Sequence, residues 1–220
     1  MSSTPRRVSD SAVRRLSLYL RGLEELELEG VRTVASEALA RRAGTTAAQV
    51  RKDLSLFGSF GKRGLGYAVS PLQAQLRTIL GLARPRRVAL VGAGRIGAAL
   101  FEYPPFRERG FRIVAIFDED PAKIGRAWDA VPIHSAADLA ETVRCEGVEI
   151  AILAIPAGAA QRMADALTSA GIRGILNFAP VQIQVPEGVV VNDVDMSVEL
   201  EALTFALEAP PGGGRAGSGG

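Results

Sequence analysis

The fold follows from one stretch of the sequence, Val88-Ala-Leu-Val-Gly92-Ala-Gly94-Arg-Ile-Gly97-Ala-Ala-Leu100. Its apolar residues predict a buried strand, and the three glycines then have the GxGxxG spacing at the point where a helix begins. In this setting the first glycine permits a tight turn, the second lets the backbone approach a pyrophosphate, and the third allows close helix packing. The alternative is that the glycines serve only a tight strand-to-helix turn.

The helix that follows the glycines would present free N–H groups and positive potential to a phosphate. The sequence therefore predicts a dinucleotide site at this turn, formed by Gly92, Ala93, Gly94, Arg95, Ile96 and Gly97.

A carboxylate follows the next apolar run, 111–117, in the dipeptide Phe117-Asp118. Asp118 is predicted to accept hydrogen bonds from the adenosine ribose, and its charge would repel a 2′-phosphate, which favours NAD(H) over NADP(H). Asp120 competes for this role, and the sequence leaves the choice between the two acids open.

The rest of the second half of the chain repeats the alternation of short apolar runs with helical segments. Continuous apolar strands indicate a parallel sheet buried on both faces, and strand–helix alternation indicates a doubly wound α/β fold. We therefore predict a Rossmann domain over residues 85–194. Its predicted strands are residues 87–91, 111–117, 131–133, 148–155, 174–178 and 189–191.

The first half has a different pattern, which predicts a winged-helix domain over residues 9–82. Helices are predicted over 10–29, 36–43, 47–57 and 71–82, with Val13 and Leu18 on the apolar side of the first. The second and third helices are separated by a short turn at Gly44 and make a helix-turn-helix. The third opens on a predicted capping box, in which the Thr46 hydroxyl and the Gln49 amide each cover a backbone N–H.

The charge distribution points to a nucleic acid as the partner of this domain. Residues 1–84 have 14 Lys and Arg against 7 Asp and Glu, a balance of +7, whereas residues 85–220 have 12 against 17, a balance of −5. A basic domain suits an acidic polymer such as DNA. Residues 58–67 resemble a hairpin wing whose tip would enter a minor groove. The predicted DNA contacts are Thr46, Gln49, Arg51 and Lys52 on the third helix, and Lys62 and Arg63 on the wing.

The end of the chain contains one more predicted helix, residues 195–208, and a tail, residues 209–220, that is too rich in Gly and Pro to bury apolar surface. The helix has an apolar stripe of Met196, Leu200, Leu203 and Leu207, and further apolar residues opposite. It is therefore expected to pack either on its own domain or against a second subunit.

Several classes of protein are excluded. A dehydrogenase needs an acid or base near the nicotinamide, but the single histidine, His134, is expected to pack locally and the single cysteine, Cys145, to be buried and inert. One Cys and one His also argue against a disulfide or a metal centre. No stretch has the roughly 18 apolar residues of a membrane span, and the N-terminus lacks a secretory signal. We therefore expect a cytoplasmic protein that is not an enzyme.

The sequence resembles the Rex family of redox-sensing transcriptional repressors over nearly its whole length. The similar segments are Tyr19-Leu-Arg21, residues 49–61, Arg63-Gly-Leu-Gly-Tyr67, residues 92–97, Phe117-Asp118, Asn177-Phe-Ala-Pro180 and Val194-Asp195-Met-Ser197. The resemblance implies a homodimer that binds palindromic operator DNA, with NADH and NAD+ as regulatory ligands and NADH as the signal for release. It also implies that the C-terminal helix is swapped into the partner.

Further residue roles rest on the resemblance alone. Tyr103 is similar to a family tyrosine near the nicotinamide, and Asp195 to an acid that connects subunits and head, with Arg21 as its partner. Met196 departs from the family pattern, which leaves packing on the nicotinamide open. Two alternative hypotheses remain at this point: an oxidoreductase with a DNA-binding head, and a regulator that senses another nucleotide-containing ligand such as a CoA derivative.

Overall fold

The computed structural model describes residues 8–62 and 65–208, which form two compact units that divide between Arg84 and Pro85. Three predicted features lie outside the described residues: the wing-tip Arg63, the side chain of Lys62, and the tail 209–220.

Over residues 8–62 and 65–84, the first unit has four helices and a small three-stranded sheet. Its strands are antiparallel and have the order β1-β3-β2, so the predicted wing hairpin gains a strand that the sequence pattern did not indicate. The elements are α1 (Asp10–Leu28), β1 (Thr33–Val34), α2 (Ser36–Arg42), α3 (Ala47–Ser55), β2 (Gly61–Lys62), β3 (Gly66–Ala68) and α4 (Val69–Ile79).

The predicted helix-turn-helix is present, and its turn depends on local backbone chemistry. Gly44 has a φ of +66°, and the next N–H, that of Thr45, donates to Ala40 O over 3.0 Å, which closes the end of α2. The Thr46 hydroxyl then accepts from the backbone N–H of Gln49 over 3.1 Å and caps α3. The other half of the predicted capping box is wrong, because the Gln49 amide donates to Asp53 instead.

The core of this unit is formed around α1. Leu16, Leu20 and Leu23 are fully buried, together with Tyr19, at the spacing of one helix face. Val13 and Leu18, predicted on the apolar side, are each 41% exposed, because the buried face includes Tyr19 instead.

The second unit is a seven-stranded sheet with the order β10-β9-β8-β4-β5-β7-β6. All neighbouring strands are parallel except β6 and β7. The elements are β4 (Arg86–Val91), α5 (Arg95–Phe101), α6 (Pro104–Glu108), β5 (Phe111–Asp118), β6 (Ala127–Trp128), β7 (Val131–Ser135), α7 (Leu139–Cys145), β8 (Ile150–Leu153), α8 (Ala157–Ser169), β9 (Gly174–Asn177), β10 (Val190–Asp193) and α9 (Met196–Glu208).

This is the predicted Rossmann arrangement. The chain leaves β4 for β5 on one side and returns to β8 on the other, so the strand order reverses beside β4, where such sheets bind ligands. The central strands are buried on both faces, with Ala89, Leu90, Ala151 and Leu153 inaccessible. The sheet is parallel, as predicted, apart from its edge strand β6. There a turn with positive φ at Asp129 and Ala130 folds β6 back on β7.

The C-terminal helix α9 contributes nothing to the core of its own unit. None of its residues is buried, and its apolar side chains are more than half exposed. These are Met196, Val198, Leu200, Leu203, Phe205 and Leu207. Across residues 8–62 and 65–208, no helix combines the length and apolar character that a membrane crossing requires.

Candidate functional site

The glycine turn between β4 and α5 has the geometry that its motif predicts. Gly92 has a φ of +103°, and a Cβ there would lie 2.3 Å from Ala154 O. A Cβ on Gly97 would lie 1.9 Å from Gly92 O, so only glycine lets α5 pack on the turn. A Cβ on Gly94 would meet no atom within 4 Å. The first and third glycines are therefore required by the fold, whereas the second leaves open space beside the turn.

The other predicted residues of this turn divide into two kinds. Ala93 is buried and its backbone N–H donates to Asp118 Oδ2 over 2.7 Å, which joins the turn to the end of β5. Arg95 and Ile96, on the first turn of α5, are exposed. Their backbone N–H groups lie at a helix start, where an anion is favoured.

Asp118 is held by three donors. Oδ2 accepts from Ala93 N and, over 3.0 Å, from Lys123 Nζ, and Oδ1 accepts from Asp120 N over 2.9 Å. Burial alone would raise the pKa of Asp118, but these hydrogen bonds lower it below its ordinary value. An ionised carboxylate has about four lone-pair positions, so one remains for a ligand hydroxyl.

A cavity of about 260 Å³ lies at the carboxyl ends of β4, β5 and β8. It contains Gly92, Gly94 and Asp118, so the structure brings together the core of the predicted dinucleotide site. Asp120, the competing acid, is about half exposed and pairs with Lys123 over 3.8 Å. The remaining lining is mostly apolar: Val91, Phe117, Glu119, Lys123, Ala136, Ala154, Ile155, Pro156, Ala159 and Met163.

Lys123 is a cavity residue that the sequence analysis missed. Its ammonium bridges Asp118 and Asp120, which partly neutralises the acid predicted to repel a 2′-phosphate. A second acid at the cavity, Glu119, pairs with Arg162 over 3.2 Å. Its position five residues after Asp118 does not predict this contact, because the contact depends on the turn after β5 that brings the ammonium back to the strand end.

Three other residues named from the sequence lie apart from this cavity lining. Tyr103 precedes α6 and is 49% exposed, with its ring 5.2 Å from that of Phe106. His134 packs locally, as expected, with its ring 5.7 Å from that of Phe117. Cys145 was expected to be buried, which is wrong: it ends α7 with its side chain exposed.

A second candidate site is the exposed face of α3. Arg51 and Lys52 lie on it, and Ala48 and Ser55 share it at the spacing i, i+3, i+4 and i+7. The last two were missed because neither is basic. An exposed helix face with two cations has the charge expected of a helix that reads a major groove.

Gln49 lies at the edge of this face, and its side-chain amide is bound by a buried carboxylate. Its Nε2 donates to Asp53 Oδ1 over 2.7 Å, and a carboxylate can only accept, so the amide oxygen is the end left for a partner. Asp53 is 1% exposed and is also bound by Arg15, through two hydrogen bonds, and by the Tyr19 hydroxyl.

Asp53 and the two α1 side chains that bind it, Arg15 and Tyr19, fix α3 to α1. Burial would raise the pKa of Asp53, but hydrogen bonds from Arg15, Tyr19 and Gln49 lower it. Burial, aided by the bond to Asp53, raises the pKa of Tyr19. The carboxylate therefore stays charged and the phenol neutral at neutral pH, and the orientation of α3 is maintained.

Arg21 and Asp195, the two residues expected to connect the subunits to the DNA-binding unit, are both exposed. Arg21 is exposed on α1. Asp195 precedes α9, where Oδ1 accepts from the Ser197 hydroxyl over 2.6 Å and from Ser197 N over 2.9 Å. These hydrogen bonds lower the pKa of Asp195, so it is an exposed anion at the start of an uncovered helix.

Two family descriptions match the chain. "CoA binding domain" matches residues 83–181, and "Putative DNA-binding protein N-terminus" matches residues 7–55. The boundary between the two matches falls near the division of the structure at Arg84 and Pro85.

Comparison with known proteins gives matches over 90% or more of the chain. The chain is 46% identical over 198 residues to the redox-sensing transcriptional repressor Rex of Roseiflexus sp. (strain RS-1), covering 90% of each chain. A solved structure of RSP in complex with β-NAD+ and operator DNA is 37% identical, with a TM-score of 0.87 over 92% of this chain and 93% of that one. The complex of RSP with β-NADH is 35% identical, with a TM-score of 0.82 over 92% and 95%.

Proposed function

The chain belongs to the Rex family of redox-sensing transcriptional repressors, and on that premise we propose that Arg51 and Lys52 read operator DNA while the cavity beside Gly94 binds NADH. The protein represses transcription and leaves its operator as the NADH/NAD+ ratio rises. The assignment depends on the presence of two features in the same chain. One is a basic, exposed recognition helix, and the other is a glycine turn with open space beside Gly94 and none beside Gly92 or Gly97. We place its action in the cytoplasm.

The proposed nucleotide contacts follow from the geometry of the turn. The pyrophosphate lies over Gly94 and meets the N–H groups of Arg95 and Ile96, because this is the open side of the turn. The adenosine ribose hydroxyls meet the remaining acceptor position of Asp118. Tyr103 reaches the nicotinamide only in the assembled protein, since it lies outside the lining of the cavity in one chain.

The preference for NADH has a simple electrostatic cause. The nicotinamide ring is neutral when reduced and cationic when oxidised, and an apolar pocket penalises the cation. Binding of NADH changes DNA affinity because it favours a dimer whose two recognition helices do not match half-sites about 34 Å apart. The coupling is reciprocal, so operator DNA weakens NADH binding by the same factor.

The exposed apolar residues of α9 support a homodimer in which this helix is buried by the partner. Six apolar side chains on 13 residues are more than half exposed, and contiguous exposed apolar surface of this kind marks an interface. In the dimer, Asp195 pairs with Arg21 and connects the helix to the DNA-binding unit. The predicted domain limits of 9–82, 85–194 and 195–208 are retained in this proposal.

Neither rival function is favoured. The relatives are named repressors, which argues against an oxidoreductase. The description "CoA binding domain" fits the fold of the second unit, but the similar RSP structures contain NAD+ and NADH. NADH is therefore the ligand to be tested first.

The test of this function is release of DNA by the reduced nucleotide. We expect the protein to enrich a palindromic duplex from a randomised pool, and NADH to release that duplex at concentrations at which NAD+ does not. Gel shifts with both nucleotides at equal concentration measure the effect. Equal release by NADH and NAD+ would contradict redox sensing, and failure to enrich any sequence would contradict operator binding.

Substitutions in α9 test whether this helix forms the dimer interface. Leu203→Glu with Leu207→Glu should convert the protein to a monomer, because each buried leucine contributes roughly 1.5 kcal/mol or more, and four are lost per dimer. The dimer Kd should rise at least about 10,000-fold, as measured by light scattering during gel filtration. Leu28→Glu is the matched control, since Leu28 is 90% exposed at the end of α1. A dimer that persists in the double variant would show that α9 is not the interface.

A further inference from the structure

The guanidinium of Arg51 is held in a defined position by the start of the neighbouring helix. Nη1 donates to Ser36 Oγ over 2.7 Å and lies 3.4 Å from Glu37 Oε1. Ser36 is buried, and its hydroxyl lies 3.4 Å from the other carboxylate oxygen of Glu37. Two consecutive residues of α2 therefore make two polar contacts with one side chain of α3, and a third contact joins the two residues to each other.

Both contacts use the same nitrogen of Arg51. Among the described residues no protein group accepts from Nε or Nη2, so the planar edge of the guanidinium that carries these two donors is available. The same edge of Arg15 makes the two hydrogen bonds to Asp53 in this unit, at 2.7 Å and 2.9 Å. An arginine that reads guanine bidentately needs two donors at this spacing.

The surroundings of the pair are open and face the wing. A cavity of about 540 Å³ is lined by Ser36, Glu37 and Arg51 on one side and by Gly61 and Tyr67 of the wing strands on the other. A hydrogen bond from its own backbone lowers the pKa of Glu37, and the charge of Arg51 acts in the same direction. Glu37 is therefore an anion on the surface that would meet DNA.

We propose that Glu37, with Ser36, is a positioning residue that sets the sequence discrimination of Arg51. Held through Nη1, Arg51 presents its free edge to a guanine and has little freedom to turn toward a phosphate. The negative charge of Glu37 also holds the Arg51 guanidinium away from the phosphate backbone, and contact with that backbone is the main source of non-specific binding. Both effects raise the ratio of operator affinity to non-specific affinity. This inference rests on the proposed reading of DNA by Arg51.

The experiment compares two duplexes for each variant. One is the duplex that the unchanged protein enriches from a randomised pool, and the other is a scrambled duplex of equal length and composition. Glu37→Gln keeps the shape and removes the charge. Because an exposed ion pair changes an equilibrium constant by up to about fivefold, and the dimer contains two, we expect the affinity ratio to fall roughly 5- to 20-fold. Melting temperature checks that the variant is folded, as the 61% exposure of the Glu37 side chain predicts.

Two further variants separate positioning from bulk charge. Glu27→Gln removes the same charge from α1, where Glu27 bonds the Ser70 hydroxyl rather than Arg51, and should keep the full ratio. In an Arg51→Ala background, measured at low ionic strength, Glu37→Gln should cause no further loss of discrimination.

The outcomes are distinct. If the unchanged protein enriches no sequence, the proposed function and this inference both fail. If it enriches one and Glu37→Gln retains the full ratio, only the inference fails. If Glu37→Gln lowered the affinity ratio equally in the presence and absence of Arg51, Glu37 would act only through its general charge. That result would also overturn the positioning role.

Discussion

Replacement of Gly94 by valine is expected to weaken NADH binding strongly without loss of the fold. The Cβ of a residue at this position meets no protein atom within 4 Å, and φ is −90°, which any residue adopts. The added side chain therefore occupies only the space beside the turn, over which the pyrophosphate is proposed to lie. Overpacking of a fitted contact costs typically about 1–3 kcal/mol, which predicts a loss of NADH affinity of roughly 5- to 150-fold.

Fluorescence titration with NADH and a thermal melt measure the two halves of this prediction. The Gly94→Val protein should still bind the enriched duplex but should no longer release it when NADH is added. Gly97→Ala is the contrasting variant, because its Cβ would lie 1.9 Å from Gly92 O and should lower stability instead. Unchanged NADH affinity in Gly94→Val would show that the dinucleotide does not pass over this glycine.

Replacement of Arg51 by alanine is expected to weaken operator binding strongly and to leave NADH affinity unchanged. A bidentate arginine–guanine contact contributes roughly 1–3 kcal/mol, and a dimer on two half-sites loses two. Operator affinity should therefore fall roughly 30- to 10,000-fold. Arg51 is 55% exposed and lies on the free face of α3, so its removal leaves the core of the unit intact.

The matched control for Arg51→Ala is Arg41→Ala, which removes the same charge from the exposed surface of α2. Arg41→Ala should weaken binding to all duplexes by a similar small factor and reduce the salt dependence, as expected for a general electrostatic contribution. If Arg51→Ala behaved in the same way, Arg51 would contact phosphate and not a base. Loss of NADH binding in Arg51→Ala would indicate a folding defect.

The features that the sequence predicted well are those specified by local residues. The glycine turn follows from three residues whose spacing is fixed by the strand and helix on either side of it. The cap at Thr46 and the end of α2 at Gly44 likewise depend on a few neighbouring residues. The positions of these elements in a Rossmann sheet and a helix-turn-helix could therefore be predicted before the structure.

The features that were missed depend on residues distant in the chain. β1 and β6 have two residues each and exist only because β3 and β7 pair with them. The Gln49 amide was assigned to the capping box because its competitor, a buried Asp53 held by Arg15, cannot be recognised from spacing. Lys123 enters the cavity only through the turn after β5.

Because α9 is uncovered in a single chain, the stability of the repressor should depend on how much protein the cell makes. On the proposed dimer, a newly made chain has no partner for Leu203, Phe205 and Leu207, which are 61%, 79% and 84% exposed. Its stability is then inseparable from protomer concentration by mass action. In a cell that makes few copies, a larger fraction of the protein is monomeric, with the apolar residues of α9 exposed. A low concentration of the protein therefore lowers the fraction of active dimer. Abundance thus joins the nucleotide ratio as a variable that determines repression.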